Sequence, residues 1–311
     1  MRCSTCSKEA VIDLPYVSQH LCEQHFLGSF QERVRRELHR QLPRFRGGTI
    51  AVALSGGKDS ATALALTQRY FASRANLQLV ALTVDEGIAG YRSATIERAR
   101  DLCRTLGVEH RVIRAIDEIG TTTDEAVGRL VGTVPCSYCG VWRRQMLNRA
   151  ARDANASVLV LGFNLDDLAQ TVLMNLARAD LARLTRMAPH RRRQPGLIPR
   201  IAPLAQVPER EVYLFARLSH LPFDHGECPH ATRAARNVFR EVVWELEEAF
   251  PGTRHALLRT QERLTDLLAT HSESGAPHRC TECGEPSGAT LCRACEYLRT
   301  AHSRAPLEAA E

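Results

Sequence analysis

The sequence predicts an α/β fold, a doubly wound parallel sheet with a small zinc-binding module at each end of the chain. Three observations point to it. From Thr49 onward, β-branched apolar runs alternate with amphipathic runs, the rhythm of parallel strands joined by crossover helices. A glycine-rich hexapeptide, SGGKDS, falls between the first of these strands and the first of these helices. Cysteines pair off near the two ends of the chain, outside the alternating region.

The N-terminal module reads Cys3-x-x-Cys6 and then Cys22-x-x-His25; the C-terminal one reads Cys280-x-x-Cys283 and then Cys292-x-x-Cys295. Two such knuckles joined by a short loop suit a tetrahedral zinc ion. Segments this short bury too little apolar surface to fold alone, so the metal supplies their folding free energy. Four closed ligands leave no open position, which makes both zincs structural. The expected division is residues 1–46, a zinc finger with a linking helix; 47–271, the sheet domain with a helical C-terminal part; and 272–311, a second zinc finger.

Between the modules, TIAVAL (49–54) reads as a buried strand and ATALALTQRYFA (61–72) as a helix. LQLVALTVDEG (77–87) is a second strand with Asp85 at its C-terminal end. SATIERARDLCRTLG (93–107) is a helix and VEHRVIRA (108–115) a third strand. A helix beginning near Cys139 leads to a fourth strand in ASVLVLGFN (156–164), and LDDLAQTVLMNLARAD (165–180) is again helical. Beyond Pro199 the pattern is helical over 208–219, 232–248 and 252–270. Sheets of this kind bind ligands at the C-terminal ends of their strands.

At 311 residues, with 44% hydrophobic and 24% charged side chains, the composition is that of an ordinary globular protein. No apolar run approaches the roughly 18 residues of a membrane span. The opening MRCSTCSKEA has no apolar core and cannot be a secretory signal, so the expected location is the cytoplasm, with no membrane partner. The formal charge of +6 argues only weakly for an anionic partner. Lysine usage is sharper: Lys8 and Lys58 are the only lysines among 41 basic side chains. Arginines concentrate in RMAPHRRRQPGLIPR, where Arg186, Arg191, Arg192, Arg193 and Arg200 read as contacts to a phosphate backbone.

One of the two lysines lies in the glycine-rich loop. There Gly56 and Gly57 let backbone N–H groups approach an anion, Ser55 and Ser60 offer hydroxyls, and the following helix adds its dipole. The pattern is not a Walker A loop. It matches S-G-G-x-D-S, the pyrophosphate loop of adenylating ATP pyrophosphatases.

Four cysteines remain. Cys103 sits on the inner face of its helix and reads as a small core residue. Cys136, Cys139 and the distant Cys228 admit three readings: an iron–sulfur site, a third zinc with Asp224, His225 or His230 as fourth ligand, or a disulfide between the first two. Taken in order, SGGKDS, VDEGI, PCSYCGVWRRQ, GFNLDDLAQTVLMNLARADLARL and IPRIAPL resemble the tRNA 2-thiouridine synthetases of the TtcA/TtuA superfamily. The flanking zinc modules place the resemblance in the subgroup of archaeal and eukaryotic wobble-uridine thiolases and bacterial T-loop thiolases.

That resemblance implies a sheet domain of the ATP pyrophosphatase, or PP-loop, type. It implies ATP and Mg²⁺ as cofactors, a [4Fe-4S] cluster on Cys136, Cys139 and Cys228, and two Zn²⁺ on the terminal modules. Its partners would be tRNA, a ubiquitin-like sulfur carrier ending in a thiocarboxylate, and a second copy in a homodimer. The activity implied is adenylation of a tRNA uridine at its C2 oxygen, followed by replacement of that oxygen with sulfur. The alternatives are a cytidine 2-thiolase and a lysidine-type ligase. Candidate nucleotide contacts are Ala53, Ser55, Gly56, Gly57, Lys58, Asp59, Ser60 and Asp85, with Gly162 admitting the adenosine closely. Asp59 and Asp167 are the candidate catalytic carboxylates, while Asp166 reads as an acid complementing a helix dipole. Arg143 stands where some relatives carry a catalytic lysine; an arginine cannot exchange protons near neutral pH, so its expected role is charge stabilisation.

Overall fold

The computed structural model describes residues 1–42, 45–189, 194–233, 235–269 and 278–303. The chain opens with a hairpin of β1 (Ile12–Leu14) and β2 (Gln19–Leu21), then a long helix, α1 (Glu23–Gln41). The central unit runs β3 (Gly48–Ala53), α2 (Lys58–Phe71), β4 (Leu77–Asp85), α3 (Arg92–Leu106) and β5 (Glu109–Arg114). Two short helices follow, α4 (Ala115–Ile119) and α5 (Thr123–Val127), then α6 (Pro135–Asp153), β6 (Ala156–Val160) and α7 (Leu165–Leu176). The remainder is α8 (Leu181–Leu184), β7 (Arg200–Ile201), α9 (Glu209–Leu218), α10 (Arg236–Ala249) and α11 (Thr253–Ala269). A small hairpin of β8 (His278–Arg279) and β9 (Pro286–Ser287) leads into α12 (Arg293–Ser303).

The sheet is fully parallel with order β5-β4-β3-β6-β7. Connections run outward from β3 to β5 and then return to β6 on the other side of β3. The strand order therefore reverses between β3 and β6, the crevice where open α/β sheets bind ligands. Strand periodicity assigns each face a core. Ile50, Val52, Val158 and Val160 face one side with Leu64 and Leu102; Ala51, Leu82, Val84 and Leu159 face the other with Trp142 and Met146.

Neither terminal module stands apart. Leu14, Leu21, Phe26 and Phe30 join the first core, where Phe30 stacks on Phe215 at 4.4 Å. Ala294 and Ala301 of α12 join the second. Fully burying a phenylalanine contributes about 1.5–3 kcal/mol, so this shared core adds to whatever a bound metal supplies.

The sequence pattern differs from the structure at several edges. A fifth strand, β7, is two residues between Pro199 and Pro203, too short to show alternation. Helix α6 starts at Pro135 rather than near Cys139, because proline is pre-set for the first helical position. Helix α2 starts at Lys58, so Lys58, Asp59 and Ser60 form its first turn. The run 165–180 breaks at Ala179, which has φ +51°, and Asp180 caps the short α8 through a bond from Arg183 N–H at 2.9 Å. No helix among the described residues is long and apolar enough to cross a membrane. The boundary expected at 271/272 and the run Arg191–Arg193 lie outside the described residues.

Candidate functional site

Ala53 ends β3 and the loop behind it is tightly tied. Ser60 Oγ accepts from Ser55 N–H at 3.0 Å, lies 2.9 Å from Ser55 Oγ and donates to the Gly57 carbonyl at 3.0 Å. Gly56 has φ +89°, and a Cβ there would stand 2.0 Å from the Thr95 carbonyl oxygen, so only glycine fits. Lys58 reaches Asp59 at 3.0 Å and Glu209 at 2.7 Å. Burial acts against its charge, but these two carboxylates outweigh it and raise its pKa. A cationic lysine therefore stands on the first turn of a helix, where anions bind.

Across the crevice, Gly162 follows β6. A Cβ on it would lie 2.8 Å from Ser60 N, so the close approach its glycine permits is to the backbone of α2 itself. Next along, Asn164 caps α7: its Oδ1 accepts from Asp167 N–H at 2.9 Å, and its Nδ2 donates to Asp59 Oδ1 at 3.0 Å. Its backbone N–H donates to Asp167 Oδ2 at 3.4 Å, so Asn164 joins the two candidate catalytic carboxylates. Asp166 does not point with them; it accepts from Glu209 N–H at 2.7 Å and pairs with Arg254 at 3.1 Å, a tie between helices. Asp85 turns back on its own loop, accepting from Gly87 N–H at 3.0 Å.

Desolvation, then the charge of Asp59, pushes Asp167 up to about 6. A carboxyl so raised favours the folded state when protonated. The advantage is full below the unfolded value of about 3.9 and is lost as pH rises through the folded one. In protein without nucleotide or Mg²⁺, Asp167→Asn is therefore expected to melt roughly 1–3 °C higher than the parent at pH 7.5, with a smaller gain at pH 5. Thermal scans at the two pH values check this; a variant less stable at both would show that Asp167 is a net stabiliser.

The third part of the site is the cysteines. Cys136 and Cys139, one turn apart, begin α6. Cys228 follows a loop bound to the phosphate loop, with Asp224 N–H donating to the Gly56 carbonyl at 2.9 Å. Burial, together with the negative charge of Cys228, raises both Cys136 and Cys139, while Arg143 acts to lower them. None of the three cysteines is in a disulfide.

Between cysteines and loop lies an ion triad centred on a buried carboxylate. Glu86, 3% exposed, pairs with Arg92 at 2.7 Å and with Arg143 at 3.3 Å. Arg92 donates to the Ser55 carbonyl at 3.2 Å and to the Val84 carbonyl. The chain Ser55–Arg92–Glu86–Arg143 runs from the phosphate loop to the cysteine helix. Cys103, by contrast, is buried in the first core, and burial alone pushes its thiol up to about 11.

The terminal modules have another geometry. A zinc 2.3 Å from two sulfurs in a tetrahedron separates them by about 3.8 Å. Cys6 and Cys22 are 3.7 Å apart, and His25 Nδ1 lies 3.4 and 3.3 Å from Cys3 and Cys22. Cys280–Cys295 and Cys283–Cys292 stand at 3.8 and 3.6 Å. Burial opposes the Cys3 thiolate, but backbone N–H groups of Cys22, Thr5 and Cys6 outweigh it and hold the thiol down at about 5. Among the described residues these are the only groups of three or more such ligands converging within 4.8 Å; Cys136, Cys139 and Cys228 do not converge so closely. A cubane, with irons at separate corners, spreads its thiolates wider than one zinc does. The side chains considered as a fourth zinc ligand are otherwise engaged. His230 lies 2.8 Å from Asp124, Asp224 accepts from Gly226 N–H at 2.7 Å, and His225 packs on Phe223 at 4.6 Å.

Residues 30–247 match the model of the PP-loop domain, and residues 2–27 match that of the 2-thiouridine synthetase TtuA N-terminal LIM domain. The tRNA 2-thiolation protein NcsA of Haloferax volcanii is 36% identical over 96% of this chain and 99% of its own. The chain belongs to the tRNA 2-thiolation family of PP-loop enzymes. Another relative, the tRNA-5-methyluridine(54) 2-sulfurtransferase of Pyrococcus horikoshii, is 31% identical over 96% of this chain and 93% of its own. The U34-tRNA thiolase NcsA from Methanococcus maripaludis, solved with its [4Fe-4S] cluster, superposes with a TM-score of 0.84 at 31% identity, covering 100% of this chain and 99% of that one.

Within this thiolation-family site, sequence reasoning overlooked Glu86, Arg92, Asn164 and the Asp124–His230 pair. Glu86 stood beside Asp85 in VDEGI, and Asn164 occupied an N-cap position three residues before Asp167. A helix-cap signature could have found Asn164. No local pattern announces an ion triad assembled from β4, α3 and α6.

Proposed function

We propose that this protein is an ATP-dependent tRNA uridine 2-sulfurtransferase that adenylates the C2 oxygen of a tRNA uridine and replaces it with sulfur. The observation that carries the reading is the direct backbone link between the phosphate loop and the Cys228 segment. It supports a reading in which a base activated at the loop would stand near the thiols. In this reading ATP lies on Ser55–Ser60, with Lys58 and the α2 N-terminus holding its phosphates. Asp59 and Asp167 would hold Mg²⁺, which neutralises phosphate charge. The uridine C2 oxygen attacks the α-phosphorus and pyrophosphate leaves. A sulfur nucleophile then attacks C2, the C2–O bond breaks, and AMP departs with the oxygen. Arg143 adds positive charge at the cysteines and exchanges no proton.

Cys136, Cys139 and Cys228 would hold the [4Fe-4S] cluster, whose iron without a protein ligand leaves room for an exogenous sulfur atom. The terminal modules would hold two structural Zn²⁺. A ubiquitin-like thiocarboxylate carrier as sulfur source, a homodimer and a cytoplasmic location complete the reading, supported by the family resemblance. A lysidine-type ligase has no use for the three cysteines, which disfavours that alternative. Nucleoside mass spectrometry on tRNA from a strain lacking the gene tests the rest. The expected result is loss of one 2-thiouridine nucleoside, whose position names the target. Intact 2-thiouridine with 2-thiocytidine missing would assign the cytidine reaction instead.

A further inference from the structure

Helix α6 has two working faces. One begins with Cys136 and Cys139 and continues to Arg143. The other carries Tyr138, Trp142, Gln145, Arg149 and Arg152, spaced at helical turns, and every one of them meets the C-terminal metal module. Tyr138 packs edge-on against Tyr297 at 6.1 Å, and Trp142 Nε1 donates to the Ala294 carbonyl at 3.2 Å. Gln145 Nε2 donates to Cys283 Sγ at 3.2 Å. Glu285, 7% exposed, accepts from Asn148 at 3.2 Å, Arg149 at 3.2 Å and Arg152 at 2.6 Å.

The first turn of α6 is also tied on its other sides, where Tyr138 Oη donates to the Thr123 carbonyl at 3.5 Å and Cys136 Sγ lies 3.6 Å from the His230 carbonyl. Its N-cap, Val134, offers no side-chain bond to the free N–H groups; Cys136 lies in that turn and Cys139 begins the next. Tyr138 and Trp142, 0% and 1% exposed, anchor the turn, and their cover on one side is α12. The four thiols of that module would couple its folding to a bound metal, in addition to the core it shares through Ala294 and Ala301.

We propose that the C-terminal metal module is a positioning brace for Cys136 and Cys139, with Glu285 and Gln145 as the positioning residues that couple its metal to their register. The proposal rests on the cluster reading for what the cysteines hold, but the brace itself is a property of α6. Its chemistry requires a divalent ion accepting four thiolates.

The test uses the full chain, reconstituted anaerobically with iron and sulfide. Glu285→Ala is expected to release iron to a chelator roughly tenfold faster than the parent, the scale on which outer partners act at metal sites. Glu285→Gln should recover part of the loss through its remaining hydrogen bonds. Gln145→Ala, which removes no ligand, should keep all metals and still release iron faster. Independently of iron, Cys283→Ser is expected to raise hydrogen exchange at residues 135–142 while the N-terminal module and the sheet keep parental exchange. Parental iron release in the Glu285 and Gln145 variants, or parental exchange at 135–142 after loss of the C-terminal metal, overturns the brace. If the parent chain bound no iron, the cluster reading would fail, and the exchange experiment would still decide the brace.

Discussion

Cys228→Ala protein, purified without oxygen, is expected to lose its iron and brown colour and to keep its zinc. The parent should carry about four irons per chain in a cubane and about two zincs in the terminal modules. Cys228 lies on the segment hydrogen-bonded to the phosphate loop, whereas the terminal cysteines and His25 form separate groups whose spacing would suit a tetrahedral ion. Thiolation should vanish with the iron. Adenylation should survive, because the loop from Ser55 to Ser60 keeps its own bonds. Cys103→Ala, in the core, should change neither metal. Metal analysis of the three proteins decides it. Three zincs with no iron in the parent would mean a third zinc site, and iron retained without Cys228 would remove that residue from the ligand set.

The second large effect belongs to Lys58→Ala. Asp59 and Glu209 hold the lysine charged at the first turn of α2, where in the proposed reaction it would meet phosphate charge that grows as pyrophosphate leaves. Losing a preorganised charge of this kind costs about 10²–10³ in rate, or roughly 3–4 kcal/mol. AMP formation should fall by that factor while iron and zinc contents stay at parental levels. Undiminished AMP formation and thiolation would take Lys58 out of the mechanism.

The parts of this fold legible in sequence are those governed by local rules. Strand runs such as TIAVAL and LQLVALTVD, the Gly56–Gly57 turn and the paired cysteine knuckles each follow from periodicity or spacing within a few residues. What escaped depends on tertiary placement. Strand β7 is two residues long and exists because β6 offers it an edge. Glu86 became a centre only when α3 and α6 brought Arg92 and Arg143 to it. The pattern around Gly162 suggests room for an adenosine, whereas the neighbour that requires glycine there is the backbone of Ser60, which the sequence pattern does not reveal. Asp166 and Asp167 are adjacent and chemically identical; only their partners, Arg254 for one and the Asn164 cap beside Asp59 for the other, tell them apart.

In the proposed reaction the uridine oxygen itself attacks ATP and leaves as part of AMP. A tRNA transcript carrying ¹⁸O at uridine C2, incubated anaerobically with the reconstituted protein, ATP, Mg²⁺ and sulfide, tests it directly. Mass spectrometry of the products should find one ¹⁸O in AMP for each 2-thiouridine formed, with none in pyrophosphate. Unlabelled AMP accompanying thiolated tRNA would contradict adenylation of the base.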